Sequence, residues 1–377
     1  MKLDLIATSA FGLEAVVRRE LEGLDMKVTG REDGRITFVT DERGLVKANL
    51  WLRTADRVLL KMGEFDAISF EDLFQGMKGL PWEQLIPLDG NFTVNGSSVK
   101  SKLSSMPACQ SVAEKALVSR LDEVYGATRY AKTGARFDVH VNLLKDRVVV
   151  SVDTSGAGLH KRGYRQKQTE APIKETLAAA MVQLSFWKPG RLLADPFCGS
   201  GTIPIEAALI GANIAPGLGR AFAAQEWDFI PKSIWKEEKS LAYKAIDYSK
   251  DIRILASDIS RAALDAAKEN AGNAGVLDFI TFAEAPVSSL RAREKGGVIV
   301  CNPPYGERLG GQKEIDAIYR DLRSFMDMEP TWSLFLITSD DEFETHCMGR
   351  AADRRRKLYN GRIKTTYYQY HGAVPPR

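Results

Sequence analysis

Apolar and polar positions alternate at short intervals along the first part of the chain. Residues 3–7 form an apolar run typical of a strand, and residues 12–22 place their apolar positions on one face of a helix. Further strands are predicted at residues 28–29, 35–39 and 58–62, and a second helix at residues 43–52. This β-α-β-β-α-β order predicts a ferredoxin-like α+β unit over residues 1–63.

Between residues 64 and 165 the pattern is less regular, but helices and strands still follow one another. The spacing of apolar residues predicts helices over 70–79 and 108–125, and strands over 91–97, 136–142 and 147–153. We therefore expect a second α+β domain over residues 64–165.

From residue 166 to residue 377 the chain has a longer α/β rhythm. Strands are predicted at 191–194, 252–256, 279–282 and 297–301, and helices at 172–187, 202–211 and 260–271, with Pro172 at the first helical position. Strands separated by helices predict an open, mostly parallel sheet. Residues 213–251, with Trp227, Trp235 and many charges, interrupt this rhythm, and we interpret them as a helical insertion.

Composition and charge narrow the class of protein. The 377 residues are 44% hydrophobic and 27% charged, which excludes wholesale disorder, and a net charge of +3 excludes a polycation of the histone type. No apolar run is long enough to span a membrane, and the N-terminus lacks the pattern of a signal peptide. The four cysteines form no CxxC pair, so we expect a cytoplasmic protein with reduced thiols and no metal site.

The first candidate binding segment, residues 195–202, follows a predicted strand and precedes a predicted helix. Its glycines, Gly199 and Gly201, allow close approach of the backbone to a ligand. A dinucleotide fingerprint is not formed because position 204 is a proline, and a phosphate loop is not formed because Gly-Lys-Ser/Thr is absent. Asp195 at the strand end favours a positively charged or hydroxyl-bearing ligand, and a plain strand-to-helix turn remains the alternative.

Two further segments also follow predicted strands. Asp258 is positioned to accept hydrogen bonds from both hydroxyls of a ribose, or else to cap the next helix. In residues 302–305, consecutive prolines fix the backbone, so that Asn302 Oδ1 and the carbonyl of Pro303 can accept from one exocyclic amino group. Tyr305 offers a stacking face for a base. Without its context, this tetrapeptide is equally a rigid loop.

These segments resemble those of known methyltransferases. Residues 195–202 resemble the first motif of class I S-adenosylmethionine-dependent methyltransferases, and residues 302–305 resemble the motif of those that methylate amino groups of nucleobases or glutamine side chains. Together with residues 163–165, 170–178 and 304–310, they make the chain similar to the bacterial THUMP-containing guanine-N2 methyltransferases of large-subunit ribosomal RNA. The resemblance covers essentially the whole chain and implies a ferredoxin-like domain, an RNA-binding THUMP domain and a Rossmann-like methyltransferase domain with a seven-stranded, mostly parallel sheet.

The resemblance also implies S-adenosylmethionine as cofactor and assigns roles to residues. Asp195 is expected near the cofactor amino group, Asp258 on the ribose hydroxyls and Ile259 on the adenine, whose amine meets Glu284 or the backbone of Ala285. The remaining expected cofactor contacts are Phe197, Cys198, Gly199, Ser200, Gly201, Thr202 and Asn302. The expected catalytic residues, which hold the guanine, are Asn302, Pro303, Pro304 and Tyr305.

Positive charge is concentrated in two segments. Residues 154–174 hold five basic residues against one acid, and residues 350–377 hold eight against one. Neutralisation of phosphates by such segments is typical of RNA binding, although a charged run is also often a solvated face. The predicted RNA contacts are Lys100, Lys102, Lys161, Arg162, Arg165, Arg354, Arg355, Arg356 and Lys357.

We therefore expect an enzyme that transfers a methyl group to the exocyclic N2 of a guanosine in 23S ribosomal RNA. The target base would be unpaired or flipped out, because pairing hides N2. The same chemistry on transfer RNA is the nearest alternative, and a non-catalytic RNA-binding or ribosome assembly factor is an alternative of another class. Methylation of DNA adenine or of protein glutamine does not explain the RNA-docking character of the front half. The target nucleotide and the oligomeric state stay open.

Overall fold

Two seven-stranded sheets organise the chain, one in the front half and one in the back half. A computed structural model describes residues 1–126, 130–166, 172–304 and 312–374. Within these ranges every helix is too short or too polar to cross a membrane. All four cysteines are buried as free thiols, and the same ranges contain no group of three or more His, Cys, Asp or Glu side chains arranged to hold a metal ion.

The front sheet has the strand order β2-β3-β1-β4-β7-β6-β5 and combines both front domains. The predicted β-α-β-β-α-β order of the ferredoxin-like unit is confirmed. The elements of the front half are β1 (Leu3–Thr8), α1 (Glu14–Gly23), β2 (Lys27–Glu32), β3 (Arg35–Thr40), α2 (Glu42–Trp51), β4 (Arg57–Asp66), α3 (Phe70–Lys78), β5 (Asn91–Val99), α4 (Met106–Tyr125), β6 (Arg136–Leu144) and β7 (Arg147–Asp153).

Strand β4 joins the two front domains into one sheet. Its first half pairs with β1, where Leu60 lies opposite Leu5, and most of its length pairs with β7, where Asp66 lies opposite Arg147. The strand continues past residue 63, the expected domain boundary. Its second half is polar, so apolar periodicity did not predict it, and the pairing with β7 keeps it extended.

The back sheet has the order β10-β9-β8-β11-β12-β14-β13, and its parallel core is closed by the antiparallel strand β14. The predicted seven-stranded, mostly parallel sheet is confirmed. Its elements are α5 (Glu175–Leu184), β8 (Leu193–Asp195), α6 (Thr202–Gly211), α7 (Lys232–Lys244), β9 (Ile254–Asp258), α8 (Arg261–Asn273), β10 (Ile280–Glu284), β11 (Val298–Cys301), α9 (Gln312–Met328), β12 (Ser333–Thr338), β13 (Arg354–Asn360) and β14 (Ile363–Tyr370).

Helix α5 begins later than the apolar pattern indicates. Pro172 was predicted at its first position, but the helix begins at Glu175, so that prediction is wrong. The carbonyl of Ile173 accepts a hydrogen bond from Arg165 at 3.0 Å, and Lys174 has an extended backbone. A tertiary contact therefore holds this segment out of the helix.

The insertion at residues 213–251 packs against the front sheet. Trp227 belongs to the front hydrophobic core, where it stacks on Phe137 with 5.1 Å between ring centroids, and its indole N–H donates to the carbonyl of Arg136 at 3.0 Å. Conversely, Leu13 and Val16, at the start of helix α1 in the front half, lie in the core of the back sheet. The front and back halves are therefore interlocked through both cores.

Candidate active site

A cavity of about 580 Å³ lies at the carboxyl ends of β8, β9 and β11. Because parallel strands end at the same edge of their sheet, the three candidate segments meet there. The sequence-predicted residues that line the cavity are Asp195, Phe197, Cys198, Gly199, Ser200, Thr202, Asp258, Ile259, Asn302 and Pro304. The fold thus brings together three segments that span residues 195–304 of the chain.

The glycine loop after β8 needs glycines for two different reasons. Gly199 and Gly201 have φ angles of +53° and +83°, which side chains rarely adopt. A Cβ on Gly201 would also lie 3.0 Å from the Cβ of Ala267 on α8. Gly201 is not part of the cavity wall, so its observed role is to let α6 begin close to α8, while Gly199 lies in the wall itself.

Asp195 is a buried carboxyl group beneath the glycine loop, with 1% of its surface exposed. Its Oδ1 accepts a hydrogen bond from the Phe197 amide at 3.1 Å. Burial, together with the negative charge of Asp258, raises the pKa of Asp195 to about 8. A neutral acid is therefore favoured at pH 7 in the free protein, whereas a cation bound beside Asp195 would favour the carboxylate.

Asp258 connects the second segment to the first. Its Oδ2 accepts from the Gly199 amide and its Oδ1 accepts from the Ser260 amide, both at 2.9 Å. Ser260 is the residue that caps α8, through Ala263, so capping does not explain Asp258. Each carboxylate oxygen can accept a further hydrogen bond, and Asp258 is only partly buried. It can therefore accept from vicinal hydroxyls.

Ile259 is unusual because this large apolar side chain is 76% exposed at the mouth of the cavity. An apolar side chain in that position can pack against the face of an aromatic ring system. Pro286 and Val287 line the cavity as well.

Two residues expected at the adenine amine lie outside the cavity wall. Glu284 is exposed, and its carboxylate is 3.4 Å from the guanidinium of Arg261. The amide of Ala285 already donates to the carbonyl of Asp258 at 3.1 Å. Neither residue lines the cavity, so their contact with the adenine amine stays a prediction. The backbone of both residues pairs with β9, and Pro286 and Val287 line the cavity next to them.

Asn302 follows β11 and carries an unsatisfied acceptor. Its Oδ1 is buried and finds no hydrogen-bond partner among the residues that the structure describes. Asn302 and Pro304 line the cavity, whereas Pro303 is buried and does not line it. An unpaired buried acceptor costs about 1–3 kcal/mol, so this atom marks a place where a donor of a ligand belongs. Tyr305, the fourth predicted catalytic residue, lies outside the described residues.

Helix α9 supplies a wall that the sequence analysis missed. Glu314, Ala317, Ile318 and Asp321 line the cavity from one face of the helix, at the spacing i, i+3, i+4 and i+7. The periodic pattern of residues 312–328 was a signal for an amphipathic helix. It carried no indication of which face would meet the cavity.

Two predicted RNA contacts are wrong because their side chains are buried. Arg162 is 4% exposed, donates to the carbonyls of Leu159 and Arg53, and lies 3.4 Å from Glu206. The side chain of Arg165 is 9% exposed and contacts Glu175 at 3.0 Å and Thr202 Oγ1 at 2.8 Å. Arg162 thus contacts both the front half, at Arg53, and helix α6, at Glu206, whereas Arg165 contacts the starts of α5 and α6. Neither guanidinium is available to a phosphate.

Most of the other predicted RNA contacts are at the surface. The exposed residues are Lys100, Lys102, Lys161, Arg354, Arg355 and Lys357. Arg356 is partly buried, and its guanidinium donates to the carbonyl of Gly12 at 2.8 Å. None of these seven residues lines the cavity, so their contact with RNA stays a prediction.

The chain is similar to known proteins over nearly its whole length. The chain is 46% identical over 380 residues to the protein of Bacillus subtilis (strain 168) named "Putative RNA methyltransferase YpsC", an alignment that covers 100% of this chain and 98% of that protein. A Listeria monocytogenes structure described as "a predicted N6-adenine-specific DNA methylase" has a TM-score of 0.94 at 46% identity, covering 99% of this chain and 97% of that one.

A third relative was solved with a bound cofactor product. The structure of "SMU.472, a putative methyltransferase complexed with SAH" has a TM-score of 0.94 at 40% identity and covers 100% of this chain and 99% of that one. SAH is the demethylated form of S-adenosylmethionine, which is the cofactor of this chain. The cavity fits it, since exposed Ile259 would hold the adenine, Asp258 the ribose and buried Asp195 the charged end.

Three family models match consecutive parts of the chain. Residues 4–59 match the RlmL ferredoxin-like domain, residues 67–153 the THUMP domain and residues 162–369 the RMKL-like methyltransferase domain. The order of the matches agrees with the two sheets and with the cavity at the edge of the second. With a relative 46% identical over its whole length, the chain belongs to the THUMP-containing, S-adenosylmethionine-dependent RNA methyltransferases.

Proposed function

We propose that this protein transfers a methyl group to the exocyclic N2 of a guanosine in 23S ribosomal RNA. The observation that carries the proposal is the buried Oδ1 of Asn302 in the wall of the cofactor cavity, for which the described part of the chain supplies no hydrogen-bond donor. An exocyclic amino group has two N–H donors, one for this oxygen and one for the backbone carbonyl of Pro303. The two prolines restrict the backbone that carries both acceptors before the substrate arrives.

The chain itself contributes position and electrostatics. S-adenosylmethionine supplies the electrophilic methyl group when it is bound. Asn302 and Pro303 orient the amine so that its nitrogen lone pair faces that group, and their dipoles stabilise the positive charge that develops on nitrogen. The amine can lose its proton after attack, so no general base is required. Arg165, through Thr202, holds the start of α6 against the glycine loop that shapes the cavity.

The acidic side chains of α9 support guanine over adenine. Glu314 and Asp321 line the cavity, and a carboxylate can accept from the N1–H of guanine. Adenine has an unprotonated N1 at the equivalent position, which a carboxylate repels. The Listeria monocytogenes relative is described as an adenine methylase, so this point separates two otherwise similar chemistries.

An RNA substrate is supported by the THUMP domain at residues 67–153 and by the name of the Bacillus subtilis relative. Ribosomal RNA is supported by the resemblance of residues 163–165, 170–178 and 304–310 to the large-subunit family. The guanosine would be unpaired or flipped into the cavity. A cytoplasmic location, where ribosomal RNA is processed, is part of the proposal.

The test is methylation in vitro of ribosomal and transfer RNA from a strain that lacks the gene. We expect label from the cofactor in 23S ribosomal RNA, with N2-methylguanosine as the new nucleoside in mass spectrometry. Label in transfer RNA would contradict the ribosomal assignment, and N6-methyladenosine would contradict the choice of base. Cofactor binding without methyl transfer to any RNA would favour the non-catalytic alternative.

A further inference from the structure

A second cavity, of about 370 Å³, lies between the front and back sheets. Helix α1 and strand β2 form one side, and the end of α5 with β13 and β14 forms the other. We name it the arginine cleft, because its wall includes Arg18, Arg19, Arg31, Arg354, Arg355 and Arg356. Glu22 is the one acidic side chain among its described lining residues. None of these residues lines the methyl-transfer cavity.

Only part of this positive charge is compensated. Arg18 lies 2.7 Å from Glu22, and Arg355 lies 3.2 Å from Glu344. For Arg19, Arg31 and Arg354, the described part of the chain supplies no carboxylate within ion-pair distance. All three are exposed, and the guanidinium of Arg19 rests 5.6 Å from the ring centroid of Phe186. Three guanidiniums for which the described residues supply no acidic partner therefore line one cavity.

The arginines are close enough to affect one another. Burial lowers the pKa of Arg356, and the positive charges of Arg19, Arg31 and Arg354 lower it further, while the carboxylate of Glu14 acts in the opposite direction. Like charges held together by the fold repel, and attraction to an anion bound between them offsets this repulsion. A site of this kind favours a ligand with several negative charges.

We propose that the arginine cleft binds the phosphodiester backbone of the RNA substrate. Guanidinium groups bind phosphate oxygens in a bidentate manner, and several in one cleft suit a run of successive phosphates. Because residues of both halves form the cleft, RNA bound there has a defined position relative to the methyl-transfer cavity. Contacts to phosphates set that position, and no contact to a base is needed. The inference rests on the proposed function and deepens it, since it says where the substrate backbone is held.

The experiment compares RNA binding by the wild type and by the triple variant Arg19→Gln, Arg31→Gln, Arg354→Gln. The probe is an unmodified 23S ribosomal RNA transcript, titrated between about 50 and 200 mM salt. We expect the slope of log Kd against log salt to fall by about 2, since each lost phosphate contact contributes about 0.7–0.9. At about 200 mM salt, the Kd of the triple variant should be about tenfold or more above that of the wild type.

A matched control removes the same charge elsewhere. The triple variant Lys268→Gln, Arg293→Gln, Lys295→Gln alters three exposed cations outside the cleft and should keep the wild-type slope. Cofactor affinity and melting temperature should be unchanged in both variants, which excludes misfolding. Equal slopes and affinities for the two triple variants would overturn the inference.

The two proposals fail in different ways. If the wild type binds the transcript through the cleft but forms no N2-methylguanosine in 23S ribosomal RNA, the proposed function is wrong and the cleft stands as an RNA site. If N2-methylguanosine forms normally and the cleft variant binds RNA like the wild type, only the cleft is wrong. The variant with lysine at the same three positions should retain most of the salt slope, because it retains the charges.

Discussion

At the scale of single residues, we expect methyl transfer to depend on one amide oxygen, Oδ1 of Asn302. Replacing Asn302 by alanine removes the buried acceptor but leaves the glycine loop and Asp258 in place. We expect the single-turnover rate of methyl transfer to fall by about 10²–10³-fold, as for other lost electrostatic contacts to a reacting group, with cofactor Kd changed less than about threefold. Rapid-quench kinetics and calorimetry measure the two quantities. A wild-type rate in Asn302→Ala would remove the basis of the mechanism.

A second prediction at this scale concerns Asp195 and the pH dependence of cofactor binding. Its pKa of about 8 in the free protein must fall when the cationic end of the cofactor binds beside it, so binding releases a proton below pH 8. Cofactor affinity should rise by up to about tenfold per pH unit between about pH 6 and 8 and then level off. Calorimetry in two buffers of different ionisation enthalpy measures the released proton.

The control for this pH dependence is Asp195→Asn, a variant of similar size that cannot ionise. It should bind the cofactor more weakly, with no proton release from this position and a flatter profile. A wild-type profile that matches that of Asp195→Asn would show that Asp195 stays in one protonation state, and the prediction would be wrong.

At the scale of elements, we expect α9 to determine which base the cavity accepts. Glu314 and Asp321 are on its cavity-facing side, with Ala317 and Ile318 between them. For the double variant Glu314→Gln, Asp321→Asn we expect kcat/KM for RNA to fall by about 10–100-fold, because the guanine N1–H loses its charged acceptor. Cofactor Kd should stay the same.

The matched control for α9 is Glu329→Gln, just beyond the helix and outside the cavity wall. It should leave kcat/KM unchanged. If the double variant instead weakens cofactor binding and leaves kcat/KM at saturating cofactor intact, the two acids belong to the cofactor side of the cavity and do not recognise the base.

At the scale of the whole molecule, the insertion links the two halves. Trp227 is buried in the front core although it belongs to the back half of the chain. Trp227→Ala should lower the free energy of unfolding by about 3–5 kcal/mol, as for other large aromatic residues truncated in a core. Denaturant unfolding followed by circular dichroism measures this, and the exposed Tyr243→Ala should change it by less than about 0.5 kcal/mol. A loss below about 1 kcal/mol for Trp227→Ala would mean that the insertion contributes little.

The sequence by itself determined the local chemistry of the site. Asp195, Asp258 and Asn302 each follow an apolar run that reads as a strand, and parallel strands separated by helices end at one edge, so their convergence followed from periodicity. The conformational properties of glycine and proline and the hydrogen-bonding groups of asparagine are also intrinsic to those residues and do not depend on their surroundings. These features depend on short stretches of chain.

Only the tertiary structure determined which of the predicted basic residues are exposed and can contact a ligand. Arg162 is buried whereas Lys161 is exposed, and no local pattern distinguishes such neighbours. The joining of the front sheet through β4 and β7, the wall made by α9 and the arginine cleft all depend on contacts between distant segments. Arg19 and Arg356 come together only because α1 packs against the back sheet. Burial and charge clustering are properties of the folded surface, and a linear pattern of apolar and polar positions does not contain them.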